Sequence, residues 1–186
     1  MRDLAEIPTL ETARLLLRPP ERADADQIQS LFSHWEIVRY LPSRVPWPYP
    51  PDGARQNMDS TLAAIAAGQE WHWTLRLKSR PGQLVGRVNL KTRENHNRGF
   101  WVGLPWQGRG LASEAADAVT DFWFHTLRFP VLRVSKAAPN LASRRISEKH
   151  GMRLVATEEC DYVCGRLPSE IWEITAEEWD ARRQAK

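Results

Sequence analysis

Gly103-Leu104-Pro105-Trp106-Gln107-Gly108-Arg109-Gly110-Leu111-Ala112 decides how the rest of the chain is read. The apolar run before it, Gly99-Phe100-Trp101-Val102, reads as a strand. The apolar-periodic stretch after it, Leu111 to Leu127, reads as a helix. A glycine-rich turn from strand into helix leaves backbone N–H groups unpaired at the helix N-terminus. With the helix dipole, about half a positive charge, they make a seat for phosphate. Gly108 and Gly110 permit positive φ and a close approach of backbone to anion. Gln107 and Arg109 can add side-chain donors.

Upstream, Thr12 to Arg18 alternates as a first strand with Leu15 and Leu17 on one face, and Pro19-Pro20 stops it. Ala23-Asp24-Ala25-Asp26 opens a helix with Ile28, Leu31 and Phe32 inward; either aspartate suits its positive end. From His34 to Pro51 the chain is aromatic and proline-rich, so no single regular element spans it. It is too aromatic for a linker. It either packs over the core or walls a pocket, and the two roles are compatible. Asp52 caps a helix to about Ala67, which Gly68 ends. Glu70–Leu77 and Leu84–Leu90 form a hairpin about Ser79-Arg80-Pro81-Gly82, with His72 either facing substrate or held by a local partner. Lys91 to Arg98 is a polar connection.

Downstream, Val131 to Ala137 is a strand, and Pro139-Asn140 opens a helix, Leu141 to His150, that Gly151 terminates. Leu154–Cys164 and Glu170–Thr175 pair around Gly165-Arg166-Leu167-Pro168. Thr175-Ala176-Glu177-Glu178 has the form of a capping box, so a closing helix runs from Ala176 to about Arg183. The order of elements predicts an α/β (α+β) chain, mostly antiparallel with one parallel crossover. A length of 186 residues suits a single domain, 1–186.

The composition, 42% hydrophobic and 26% charged, is that of a globular protein, and a net charge of +3 makes nucleic acid an unlikely partner. Met1-Arg2-Asp3-Leu4-Ala5-Glu6 has charges where a signal peptide needs an apolar core, and 62–67 is too short to span a bilayer. The expectation is a cytoplasmic protein with no membrane partner. Cys160 and Cys164 read as free thiols; with no histidine close in sequence to either, no metal site is expected.

The spacing Gln107-x-x-Gly110-x-Ala112 matches the pyrophosphate-binding signature of the GNAT superfamily of N-acetyltransferases. With Asn140-x-x-Ser143, Gly151-Met152 and the upstream segment Val85-Gly86-Arg87-Val88-Asn89-Leu90, the chain resembles the ribosomal-protein alanine N-acetyltransferase (Rim-type) branch. The resemblance extends from Thr12–Arg18 to Trp172-Glu173-Ile174. It implies the GNAT-like acyl-CoA N-acyltransferase fold, a mixed, mostly antiparallel sheet with helices on both faces. In that fold two neighbouring strands splay apart, and the arm of acetyl-CoA enters the gap.

The resemblance also implies roles. The pyrophosphate sits on the amides of Gly108, Arg109, Gly110, Leu111 and Ala112, and Gln107 belongs to the same loop. The peptide-like pantetheine arm adds along Trp101, Val102, Gly103 and Leu104 as a pseudo-strand. The thioester then lies near Val102 or Leu104, whose N–H can hold the developing oxyanion. Asn140 either touches the arm or caps its helix. Ser143, with Ser147 one turn later on the same face, can protonate the departing thiolate.

Two positions depart from the family pattern. Many members carry Tyr where this chain has Ser147, and Glu as the amine's base where it has Asn97; Glu94 and His96 lie nearby. Asn97 either holds a relay water or turns the chain into its strand. A site without a strong base should prefer an α-amine, with pKa about 7.7–8.0, over lysine at about 10.4, because only the neutral amine attacks. The implied partners are acetyl-CoA and an amine acceptor, a protein N-terminus or a small molecule such as an antibiotic, with the enzyme a monomer or homodimer. Other readings are a CoA-binding module without catalysis and a dinucleotide-binding fold. For the latter, Gly108-x-Gly110 lacks the third glycine and the opening βαβ unit.

Overall fold

Leu15 and Leu17 are wholly buried, and Leu16 and Arg18, which alternate with them, are half-buried, as one-sided burial of a strand demands. In the computed structural model of the chain they form β2 (Leu15–Arg18). The structure describes residues 7–184. The signal-peptide expectation falls on residues 1–6, outside the described residues, as are 185–186. β2 is shorter than the expected Thr12–Arg18. The Thr12 N–H and hydroxyl both donate to the Leu15 carbonyl, at 3.0 and 3.3 Å, which folds 12–14 into a turn after β1 (Leu10–Glu11).

Apart from β1 and the one-turn α2, which the sequence did not announce, the helices and strands follow in the anticipated order: α1 (Ala25–Phe32), α2 (Trp35–Val38), α3 (Gly53–Ala66), β3 (Glu70–Leu77), β4 (Arg80–Lys91), β5 (Arg98–Val102), α4 (Leu111–Asp121), β6 (Val131–Ala137), α5 (Leu141–Lys149), β7 (Arg153–Tyr162), β8 (Gly165–Thr175) and α6 (Ala176–Gln184). The strands make two antiparallel sheets, ordered β1-β2-β3-β4-β5 and β6-β8-β7, and the β5–α4–β6 crossover joins one sheet to the other. This is the expected α+β fold, with helices on both faces of the larger sheet.

One face of that sheet puts Trp71, Trp73, Leu75, Val88, Leu90 and Val102 into the main core with Leu111, Ala115 and Val119 of α4. On the other face, Ile28 and Phe32 of α1 and Ala54 and Met58 of α3 pack in a second cluster that includes Trp101. Each such side chain removed from water contributes about 1.5–3 kcal/mol. Part of that second face is polar: His72, Thr74, Arg87 and Asn89 alternate with the core residues of β3 and β4.

Three boundaries differ from expectation. The helix expected to run unbroken to Leu127 is α-helical only to Asp121; Phe122–Thr126 widen into a π turn, and the Leu127 N–H reaches back to the Phe122 carbonyl at 3.0 Å. Trp123 accompanies the change, stacking on Phe129 at 4.1 Å and donating to the Val131 carbonyl at 2.9 Å. The β3–β4 turn is tighter than Ser79–Gly82, since Arg80 already faces Leu77. The β7–β8 turn lies at Val163-Cys164, not at Gly165–Pro168. Pro168 fits inside β8 because β6 ends opposite Ser169, where its missing N–H is not needed.

The capping box at the C-terminal helix is present: the Glu178 N–H donates to the Thr175 hydroxyl at 3.2 Å, and the Thr175 N–H to the Glu178 carboxylate at 2.8 Å. The two sheets meet at one end only. There the Asn97 N–H donates to the Arg133 carbonyl and the Arg133 N–H to Asn97 Oδ1, both at 2.8 Å. Beyond that stitch β5 and β6 form no ladder.

Candidate active site

The phosphate loop is built as its glycines require. Gly108 has φ 73° and Gly110 φ 76°, both left-handed, and 107–110 are exposed. Gly110 is the N-cap of α4 and supplies no side-chain cap, so the first-turn N–H groups, among them those of Leu111 and Ala112, remain open to an anion. The Leu111 side chain itself is buried in the core. One donor of the Gln107 amide is taken: its Nε2 turns back to the Val102 carbonyl at 2.9 Å, which ties the loop to the end of β5. Gly103 is likewise occupied, its N–H bonded to the Val85 carbonyl and its carbonyl to the Trp106 N–H, both at 2.9 Å. Its N–H is therefore spent within the protein, while its carbonyl keeps a second lone pair.

A latch holds this loop from behind. Glu114 accepts from the Thr12 hydroxyl at 2.5 Å, from the Arg14 N–H at 2.8 Å and from Arg14 Nε at 2.7 Å, while Arg14 Nη1 donates to the Arg109 carbonyl at 2.9 Å. These donors hold the Glu114 carboxyl below the usual range, against the opposing effect of burial. The sequence places Glu114 in the first turn, where it also complements the dipole. If the loop holds the diphosphate, as its geometry suits it to, Glu114→Ala should loosen it and raise KM for acetyl-CoA about fivefold with kcat little changed. Initial-rate kinetics on the variant check this.

Beyond the Asn97 stitch, the space between β5 and β6 is a crevice of about 490 Å³. Gly99 and Phe100 line one side, Ser135 and Lys136 the other, and Asn140, Ser143 and Ser147 of α5 its end. A second cavity, about 650 Å³, lies under the aromatic, proline-rich 41–50 segment and over the polar face of β3 and β4. The segment packs over the core and lines this cavity as well: Tyr49 meets Phe32 edge-on at 5.0 Å and also faces the cavity. The two cavities adjoin along Asn89, Gly99 and Phe100, with Lys91, Arg93 and the 41–44 stretch also lining both. A Cβ on Gly99 would come within 2.6 Å of Asn89 Oδ1, so glycine leaves room for that amide at the junction.

Ser143 is half-buried on the crevice wall, and its N–H donates to Asn140 Oδ1 at 3.3 Å, which makes Asn140 the N-cap of α5. Ser147 is almost wholly buried and accepts from Lys136 Nζ at 2.6 Å. Lys136 lies 5.3 Å over the Trp172 ring. Burial, aided by the charge of Arg98, pushes its ammonium down to about 7.

The structure does not bring Asn97 to the site as a relay. Its Nδ2 donates to the Lys91 and Arg93 carbonyls at 3.1 and 2.9 Å and its Oδ1 accepts from Arg133, so the amide is spent on backbone. Glu94 lines neither cavity. His96 does reach the crevice, with its Nδ1 2.5 Å from the Ser135 hydroxyl; burial and the charges of Arg93 and Arg44 lower its pKa.

A family model for the acetyltransferase (GNAT) domain matches residues 14–153. The chain belongs to the GNAT acetyltransferase family. Its sequence is 24% identical over 149 residues to the probable N-acetyltransferase YjcK of Bacillus subtilis, spanning 76% of this chain and 82% of the relative. In structure, a GNAT-family acetyltransferase from Bacillus anthracis superposes with a TM-score of 0.77 at 21% identity, covering 91% of this chain and 99% of that one. The ribosomal alpha-N-protein acetyltransferase RimL, solved with coenzyme A, superposes at 0.76 and 13% identity, covering 91% and 97%. As a GNAT N-acetyltransferase the protein is an enzyme, so the reading as a cofactor-binding module without catalysis falls away. The described residues include no helix long and apolar enough to cross a membrane.

Sequence reading missed Asn89, Lys136 and the joining of His96 to Ser135. Only Asn89 left a signal, as a polar residue between the apolar Val88 and Leu90.

Proposed function

We propose that this GNAT enzyme is a single-domain, cytoplasmic acetyltransferase that moves the acetyl group of acetyl-CoA directly to an α-amino group. The acceptor is a protein N-terminus or a small molecule bound with the donor in a ternary complex. The observation that supports this most is the junction of two cavities at Asn89, Gly99 and Phe100: one room for the donor's arm, one for the acceptor. RimL, the coenzyme A-bound neighbour, is named for α-amine acetylation.

In this reading the N–H groups of Gly108 to Ala112 bind the diphosphate, and the unpaired edge of β5 runs beside the arm. A backbone N–H at Val102 or Leu104 holds the thioester oxygen as negative charge develops, a contribution of about 2.7–4 kcal/mol for one such donor. The amine enters past Asn89. His96 accepts its proton as the N–C bond forms and the C–S bond breaks, and its lowered pKa keeps it neutral and able to do so. Ser143 donates to the thiolate; Lys136, through Ser147, supports the positive end of that proton path.

The test is coenzyme A release with peptides offering either a free α-amine or only a lysine side chain. With no carboxylate base, neutral amine must come mostly from solution, and a gap of more than two pKa units favours the α-amine about a hundredfold in kcat/KM. Faster acetylation of lysine would overturn this reading.

A further inference from the structure

The 650 Å³ cavity has a mostly positive lining. Arg44, Arg87, Lys91 and Arg93 face it, and Glu70 is the one carboxylate among the described residues that line it. Arg44, Lys91 and Arg93 lie where the cavity meets the crevice and line both, whereas Arg87 faces this cavity alone. Glu70 is already engaged, by His72 at 2.6 Å and by Lys91 at 3.2 Å. His72 adds no positive charge, because burial pushes it down to about 4 against the pull of Glu70.

Arg87 is the unusual member. It is 7% exposed, yet its hydrogen-bond partners are all neutral: Asn57 at 3.1 Å, Thr61 at 3.3 Å and His72 Nδ1 at 3.3 Å. The carboxylates whose fields reach it, Asp24 and Glu70, belong to other partners; Asp24 is paired with Arg76. A buried guanidinium is ordinarily matched by an anion, since desolvating a charge costs several kcal/mol and a bidentate oxyanion is what its fork accepts. The fold holds this cation ready on the floor of the room that the proposed function assigns to the acceptor.

We infer that the acceptor amine carries an oxyanion substituent, a carboxylate or phosphate, that docks on Arg87, with Arg93 and Arg44 at the mouth of the cavity. The inference rests on the acetyl-transfer reading for the identity of the room, and on the charge pattern for the chemistry of its occupant. Arg87 pairs with Trp101 across the sheet, and Asn89 with Gly99. Arg87 and Asn89 therefore sit two residues apart on one face, about 7 Å along the strand. An acid group on Arg87 leaves the amine end pointing toward Asn89 and the crevice. Volumes of roughly 300–1,000 Å³ suit a small molecule or the end of a peptide. The same lining opposes polycationic amines.

The experiment is calorimetric titration of the coenzyme A-saturated protein with matched amines: glutamic acid α-amide against glutamine α-amide, and phosphoserine α-amide against serine α-amide. Each pair shares an α-amine and differs in the side-chain anion, and comparing the pairs separates carboxylate from phosphate. The acidic member of at least one pair should bind about tenfold tighter or more. Arg87→Gln should abolish that advantage, Arg87→Lys should keep part of it, and neither should change affinity for coenzyme A. Equal or tighter binding of the neutral amines, or an advantage that survives Arg87→Gln, overturns the inference. Should Arg87→Gln fail to fold by circular dichroism, Arg93→Gln, an exposed position, should cut the advantage about threefold, and no change there overturns it. Failure of coenzyme A to bind would instead refute the transferase reading, and the paired titrations of the free protein would still decide the anion site.

Discussion

Gly110→Val raises KM for acetyl-CoA at least about tenfold, with kcat at saturation within about threefold of the parent. Gly110 sits at φ 76° and ψ 5°, a conformation that costs an L-residue about 1–2 kcal/mol and a β-branched one more. Space is not the obstacle, since an added Cβ meets only Arg14 Nη2 at 3.5 Å. Relief of the backbone strain swings the N–H groups of the first turn away from the place where they converge. In the proposed function those groups touch only the diphosphate, so the expected loss falls on binding. Gly82→Val is the control: it has no positive φ and nothing within 4 Å of an added Cβ. An unchanged KM for Gly110→Val would mean that the loop does not hold the donor.

Lys136→Met is the second large effect, and it shows as a change in how stability depends on pH. The Lys136 ammonium ordinarily releases its proton at 10.5, and in the fold near 7. Below about 7 both folded and unfolded chains are protonated there, and the native protein bears the full cost of the buried charge. Between about 7 and 10.5 the unfolded chain holds more protons, so native stability rises with pH, by up to about 1.4 kcal/mol per unit. Methionine removes that slope. The melting temperature of the variant, relative to the parent, should therefore be highest near pH 6 and fall steadily toward pH 10. A constant difference across this range would show that Lys136 is not desolvated.

How much of this was legible beforehand depended on whether the cause was local. The phosphate loop was readable because left-handed glycines and an uncapped helix start act within a few residues. The capping box at Thr175 and Glu178 and the burial of Leu15 and Leu17 were readable for the same reason. The division into two sheets was expected only through the family resemblance, since it depends on one asparagine amide meeting Arg133, 36 positions away. His96 and Ser135 are 39 apart, and nothing in their own neighbourhoods points to the meeting. Arg87 reads as an ordinary strand arginine until the fold shows which carboxylates are already taken. Gln107 fitted the motif by type, yet its amide chose the Val102 carbonyl, a choice that spacing cannot express.

Asn97 holds the two sheets together at one corner and touches no reacting group. It works as the rivet of a pair of shears. If the rivet shifts, the blades either shut into one continuous sheet, closing the slot that admits a slender donor, or drift wide and lose their alignment on it. In the proposed function, a residue with no chemistry of its own thereby sets the calibre of the slot that takes the donor.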